Sequence, residues 1–374
     1  MARRHTPYYH KFMALGAEIV DRLGFDSAFR FTTIAEEHLA TRERVGLYDV
    51  YYQGVVDVKG SDAEALLQHL AVNDVTRLAD GGALYSSMLN ERGGMVDDLT
   101  IYRRSAEHWW VCPTPSRTDI VTDWLTEHAR GTHAYVTNVT SGNAYLSVQG
   151  PRSRETLSRL TDADLSTAAL PYYHFTTAVV AEVPATLSRT GYSGELGYEL
   201  FYPRDYAEHM WDAVTAAGEE FGIAPCGLGA LRSTRMEKKY PLFGLDLNDA
   251  TSPLEANVGW TVHFEKGDFV GREALERQRD EGLSRLLVGI AFEGMDFLPK
   301  AGDAASVDGR QVGKVTSSDY GHYLRRSLAM GYLVPDAARD GTALTVASAE
   351  TGASAAGVVH QRAFHDPDRL RVRA

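Results

Sequence analysis

Residues 91–102 read Glu91-Arg92-Gly93-Gly94-Met95-Val96-Asp97-Asp98-Leu99-Thr100-Ile101-Tyr102. Met95, Leu99 and Ile101 recur at two-residue spacing, which predicts a strand entered through a turn at Gly93-Gly94. Neighbouring residues on a strand face opposite ways. One of Asp97 and Asp98 therefore reaches solvent or a neighbouring backbone, and the other points into whatever the strand lines. An inward carboxylate is costly unless it is hydrogen-bonded or has a chemical task. On these residues alone, two acids finishing a turn are the ordinary reading, because Asp is common at turns.

Working outward, Ala83 to Asn90 reads as a strand leading into the double-acid turn, and His108 to Val111 as another beyond it. Residues 47–60 are rich in aromatic and β-branched types and read as strand. Ser61 with Glu64 has the spacing of a capping box before a helix carrying Ala63, Leu66, Leu67 and Leu70. Helices are also predicted over Tyr9–Val20, Ile34–Val45, Ser116–His128, Arg152–Leu160, Tyr206–Phe221 and Gly227–Lys239. The stretch Thr186 to Phe201 reads as two strands around a turn in which Gly191, Gly194 and Gly197 let backbone approach something closely. Gly227-Leu228-Gly229 is not a dinucleotide fingerprint, since Arg232 stands where the third glycine belongs. From about Leu286, short β-like runs with frequent Gly and Asp suggest a separate all-β domain. Strands and helices alternate without strict βα order, which predicts an α+β arrangement.

Composition narrows the classes further. The 374 residues, 44% hydrophobic and 24% charged, suit a globular protein of two or three domains. Thirty-eight Lys and Arg against fifty Asp and Glu leave a formal charge of −12, which disfavours general binding to nucleic acid or to an anionic membrane. Two cysteines, Cys112 and Cys226, are too few for a disulfide framework and lack zinc-site spacing, so no metal is expected. The basic N-terminus precedes no apolar h-region, and no apolar run reaches membrane-spanning length. The expectation is an unexported, cytoplasmic protein.

Nine stretches, in order, carry a resemblance: Leu15-Gly16-Ala17, Tyr48-Asp49-Val50, Asn73-Asp74-Val75, Tyr85 to Asn90, Gly93 to Leu99, Gln149-Gly150-Pro151, Arg189 to Glu195, Gly227 to Ala230, and Ser252 to Ala256. From about Pro7 to about Leu333 the chain resembles the folate-dependent aminomethyltransferase family, which comprises the glycine cleavage T-protein and the folate domains of dimethylglycine and sarcosine dehydrogenases. The resemblance implies a three-domain cloverleaf with a C-terminal β-barrel, divided here as 1–140, 141–285 and 286–374. It implies tetrahydrofolate as cofactor. Asp98 falls on the family's catalytic aspartate. Tyr85, Tyr192, Glu199 and Arg235 fall on positions that line the pterin and aminobenzoyl pocket. A carboxylate suits the donor edge of a pterin, and tyrosines supply flat walls with a polar tip.

Departures from the T-protein pattern bear on the donor. Where T-proteins have Asp-Val-Ser-His-Met, this chain has Asp49-Val50-Tyr51-Tyr52-Gln53; Cys112-Pro113-Thr114-Pro115 replaces an asparagine-containing strand end. These changes weaken the case for a lipoyl carrier more than for folate. The expectation is transfer of a methyl or aminomethyl-derived carbon from a free, small methylated donor, with Tyr51 or Tyr52 as acid for a departing oxygen or as an aromatic face for a methylated cation. The alternatives are the T-protein reaction on a lipoyl carrier, and a non-catalytic folate-binding partner of a separate flavin dehydrogenase.

Overall fold

The structure, a computed structural model, describes residues 3–51 and 53–374. The double-acid strand, Met95–Ser105, lies second in a five-stranded antiparallel sheet ordered Ala83–Leu89, Met95–Ser105, His108–Pro113, Val56–Lys59 and Tyr135–Asn138. The helices Ala63–Leu70 and Thr118–His128 cover this sheet with Leu66, Leu67, Leu70, Val121 and Leu125. Burying such apolar stripes is what holds a helix of this length in place.

A second sheet has six strands, ordered Phe175–Val180, Val183–Ser188, Gly197–Pro203, Asn143–Gln149, Val45–Asp49 and Ile223–Cys226, with only the last pair parallel. The helix Ala207–Gly218 packs Met210, Trp211 and Val214 into its core. One strand of this sheet comes from within 1–140 and five from 141–285, so the sheet spans the division expected at residue 140. Six further strands, from Leu286–Phe292 to Ser354–His360, close into the C-terminal barrel. The helix Leu228–Glu237 runs from the six-stranded sheet to the barrel, where Glu237 Oε1 accepts the amides of Tyr323 and Leu324, each at 3.1 Å. This α+β architecture, with its closed C-terminal barrel, is the one read from the sequence. Among the described residues, no helix is long and apolar enough to cross a membrane.

Three local expectations differ. The helix expected over Tyr9–Val20 ends at Ala14, and Glu18–Arg22 is a strand. Gly16 adopts φ 70° and donates to Met13 O while Ala17 donates to Phe12 O, the paired closure of a Schellman stop. The strand expected over 47–60 is two strands in different sheets, parted at Gly54, where an added Cβ would lie 2.4 Å from Thr118 Oγ1. The reciprocal capping box belongs to Thr33 and Glu36, not to Ser61 and Glu64. Asp62 heads the later helix and uses its Oδ2 on the His133 amide, 2.7 Å away.

Candidate active site

The glycine pair before the acids serves a close approach. Gly93 adopts φ 80°, and a Cβ on Gly94 would meet Asp249 O at 1.9 Å, so only glycine lets segment 249–251 lie against this turn. The following strand then sends its two acids opposite ways. Asp97 is fully buried, and its Oδ2 accepts the Thr114 amide at 2.7 Å. Asp98 Oδ2 accepts the Tyr85 hydroxyl at 2.8 Å. Each keeps a shielded Oδ1 that has no partner among the described residues.

Burial pushes the Asp98 carboxyl up to about 6; nearby Asp246 adds to the rise and the Tyr85 hydrogen bond opposes it. Burial, then the neighbouring Asp98 charge, pushes Asp97 well above the usual carboxylate range. The strand thus presents one carboxylate that ionises near neutrality beside one that favours its neutral form.

Aromatic pairs flank Asp98. The Tyr85 ring stacks on Trp260 at 6.1 Å and 27° between planes, and Trp260 is 57% exposed. Tyr192 stacks on Tyr240 at 5.7 Å, and its hydroxyl donates to Pro241 O at 2.6 Å. The glycine-rich turn carrying Tyr192 is shaped around the chain itself: Cβ atoms on Gly191 and Gly197 would lie 2.1 and 2.2 Å from the Gln149 side chain. Arg235 is buried on the helix Leu228–Glu237, and its Nη1 donates to Asp246 Oδ2 at 2.9 Å and to Tyr240 O at 3.1 Å. Its Nε has no partner among the described residues. Asp246 Oδ1 in turn accepts the hydroxyls of Thr316, at 2.5 Å, and Ser317, at 2.7 Å, from the barrel. Asp246 acts on both Asp98 and Tyr192, which ties these side chains to one electrostatic neighbourhood.

Glu199 occupies a second polar position on Gly197–Pro203, where it accepts the Thr190 hydroxyl. Burial raises its pKa, while Thr190 and the nearby Tyr145 hydroxyl favour its charged form. Its charge acts on Tyr102, Tyr145 and Tyr173, and the Tyr173 phenol acts in turn on Tyr85. Tyr173 adopts φ 63°, a conformation uncommon for a bulky residue. Asp98, Tyr85, Tyr192 and Arg235 therefore form one group, with Glu199 linked to it through Tyr173.

Tyr51 is not brought into this group. Its ring is 5% exposed in the core of the six-stranded sheet, edge-on to Phe25 at 5.8 Å and under the Arg204 guanidinium at 5.4 Å. An aromatic body with high β propensity is ordinary packing there. Tyr52 lies outside the described residues. Gln53 does reach the strand end beside the acids, its Nε2 donating to Pro113 O at 2.6 Å. Sequence reasoning missed Trp260, Tyr173 and Asp246; the only signal was the aromatic pair Tyr172-Tyr173 after Pro171.

A half-buried acid between aromatic pairs, close to the closed barrel, marks a candidate enzyme active site. Comparisons with known proteins agree. Residues 8–266 match the family model of the GCVT N-terminal domain, and residues 285–366 that of the glycine cleavage T-protein C-terminal barrel domain. The chain is 40% identical over 333 residues to an aminomethyltransferase of Streptomyces coelicolor, covering 88% of this chain and 89% of that one. It is 36% identical over 343 residues to an aminomethyltransferase of Halothermothrix orenii, covering 92% and 95%. The crystal structure of glycine cleavage system aminomethyltransferase T from Bartonella henselae superposes with a TM-score of 0.87 at 26% identity, covering 97% of this chain and 98% of that one. The chain belongs to the glycine cleavage T-protein family.

Proposed function

We propose that this enzyme moves the carbon of an aminomethyl group onto tetrahydrofolate held between Asp98 and Glu199. One observation carries the reading: Asp98 sits among aromatic rings with one oxygen fixed by Tyr85 and the other shielded and, among the described residues, unpaired. The relatives named aminomethyltransferase, alike over about nine-tenths of the chain, support this donor over the free methylated molecule expected from the sequence.

The residues fit a folate. The unpaired Asp98 Oδ1 suits an N–H, the unpaired Arg235 Nε suits an acceptor, and the Glu199 carboxylate suits the donor edge of a pterin. The stacked pairs Tyr85–Trp260 and Tyr192–Tyr240 offer flat faces to aromatic rings.

When bound, tetrahydrofolate supplies the nucleophilic nitrogen. Asp98 orients that nitrogen through Oδ1 and, as a carboxylate in a water-poor site, stabilises positive charge on the donor carbon. A pKa of about 6 leaves Asp98 ionised at neutral pH yet basic enough to hold a proton. Tyr85 fixes its rotamer. The donor carbon parts from both its sulfur and its nitrogen, so the nitrogen must leave as ammonia. A lipoyl carrier is the partner this chemistry calls for, in the reducing cytoplasmic setting that suits free Cys112 and Cys226.

A second reading, methyl transfer from a free small donor, draws on Gln53, which clamps Pro113 next to the Thr114 amide that holds Asp97. Incubation with tetrahydrofolate and either an aminomethylated lipoyl carrier or a panel of methylated amines, sulfonium compounds and methoxyarenes separates the two. Methylenetetrahydrofolate from the carrier is the expected product by mass spectrometry. Methyltetrahydrofolate from a free donor, with none from the carrier, would overturn the first reading for the second.

A further inference from the structure

Lys266 lies outside the Asp98 group, at the end of the one-turn segment Phe264–Lys266, and is half-buried beside the Phe269 ring, whose centroid is 5.5 Å from Nζ. Its Nζ donates to the carbonyl oxygens of Gln68 and Ala71 and, at 3.0 Å, to that of Asn73. These oxygens belong to the end of the helix Ala63–Leu70 and the residues just after it, where carbonyls lose their helical partners. The Val72 amide that would serve Gln68 O donates instead to Ser87 O, in the strand Ala83–Leu89. Burial pushes the Lys266 amine down to about 8, against the pull of Asp74, so at neutral pH it is an ammonium with three N–H groups for three oxygens.

The same stretch of chain closes the rest of that helix end. The His263 amide donates to Val72 O and the Val270 amide to His69 O, each at 3.0 Å. Residues 263–270 therefore lie along residues 68–73, and Trp260, three residues before His263, is the side chain this docking delivers. Asn73 ties the other side: its Nδ2 donates to Tyr85 O at 2.9 Å, and its amide donates to Ser86 Oγ at 3.1 Å. Both rings of the Tyr85–Trp260 stack thus hang on the stretch whose oxygens Lys266 gathers. A lysine capping a helix C-terminus is ordinary. One whose carbonyl partners lie between the two halves of a stack also fixes where those halves stand.

We propose that Lys266 is a positioning residue for the folate site, holding the segment that carries Trp260 against Tyr85. Trp260 is 57% exposed, with the Arg369 guanidinium 5.4 Å from its ring. A ring with so little of its surface covered depends for its place on the docking of residues 263–270. The latch itself rests on the hydrogen bonds just described; its consequence for folate rests on the reading of the Asp98 group proposed above.

Acrylamide quenching of tryptophan fluorescence, on the whole chain without folate, tests the latch, because Trp260 is the most exposed of the five tryptophans. Lys266→Met should raise the quenching, and the rise should vanish in a Trp260→Phe background. By calorimetry Lys266→Met should weaken tetrahydrofolate binding roughly three- to tenfold, the worth of one aromatic contact, with kcat at saturating folate within about twofold. Added to Trp260→Ala, Lys266→Met should weaken binding no further, the non-additivity of residues that act through one contact. Alkylating Lys266→Cys with 2-bromoethylamine rebuilds an ammonium of lysine length and should restore both readouts, while the buried Cys112 and Cys226 are shielded from the reagent. If Lys266→Met fails to fold, Lys266→Gln, whose amide keeps two donors, should show the same changes at smaller size. Unchanged quenching, a rise that persists in Trp260→Phe, or additive losses in the Lys266–Trp260 double variant would overturn the proposal. Tetrahydrofolate bound by neither the unaltered chain nor the variants would overturn the folate reading instead, and the quenching would still decide the latch.

Discussion

Tyr85 and Asp98 meet off-register: Ser87 stands opposite Asp98, and Tyr85 stands opposite Thr100, yet the Tyr85 hydroxyl spans the diagonal to the carboxylate at 2.8 Å. Diagonal neighbours on one face of an antiparallel pair lie within reach of a long side chain. Stacking on Trp260 from one side and the hydrogen bond to Asp98 from the other leave the Tyr85 ring little rotational freedom, so its hydroxyl holds one carboxylate oxygen in place. Asp98→Asn should lower turnover by ~10²-fold or more, since it removes the orienting charge, while folate affinity by calorimetry stays within about tenfold. Asp97→Asn should be mild, because an amide oxygen still accepts the Thr114 N–H. A reversal of the two effects would move the catalytic role to Asp97.

The pH profile follows from burial of Asp98. Its carboxyl, pushed up to about 6, must be ionised to act, so kcat/KM should be level above about 6 and fall below it by about tenfold per pH unit. Tyr85→Phe removes the hydrogen bond that opposes the rise, so the inflection should move to higher pH. For stability the sign is the other way. The neutral acid is favoured in the folded chain, so its contribution is complete below about 4, the ordinary Asp value, and is lost as pH climbs through about 6. An inflection unmoved in Tyr85→Phe would detach this titration from Asp98.

Glu199→Ala should weaken folate binding by about 2–4 kcal/mol, because a buried donor edge would be left unpaired. Calorimetry with tetrahydrofolate reads this directly. Unchanged affinity would remove Glu199 from the folate pocket.

The Arg235–Asp246 pair is buried on both sides. Asp246→Ala strands the guanidinium without its counter-charge and should cost ~3–5 kcal/mol in urea unfolding. A loss under about 1 kcal/mol, the range of exposed pairs, would mean that water reaches Arg235.

Tyr51 separates packing from chemistry. In the core position described above, Tyr51→Ala should destabilise by ~3 kcal/mol or more, while Tyr51→Phe keeps the ring and should leave both stability and turnover nearly intact. Loss of turnover in Tyr51→Phe at normal stability would restore the acid role expected from the sequence.

What could be read from the sequence divides along physical lines. The strand carrying Asp97 and Asp98 was legible because alternation is a local property; Tyr85 sits inside a short motif, whereas Glu199 and Arg235 lie just beyond the motifs ending at Glu195 and Ala230. The stop at Gly16 was written in Leu15-Gly16-Ala17, but the apolar pattern running past it outweighed a single glycine. The break at Gly54 was not legible, because β-branched and aromatic residues favour a strand without saying which sheet it joins. Trp260 arrives on a one-turn 3-10 segment, Gly259–Thr261, too short to show any period. Asp246 lies in a turn, where an acid reads as solvated; only the tertiary approach of Arg235 and the barrel hydroxyls shows otherwise. Tyr51 was singled out by a departure from a family pattern, which marks a changed position without saying which way its side chain points.

The carboxylate of Asp246 is divided, one oxygen for Arg235 and the other for Thr316 and Ser317. This sets a compatibility rule for chimaeras. A barrel transplanted from a relative would need hydroxyl-bearing side chains at those two places, or the acid would turn its whole charge onto Arg235 and shift the guanidinium relative to Tyr192. Barrel exchange is thus a way to retune the surroundings of Tyr192 and Asp98 from the barrel side.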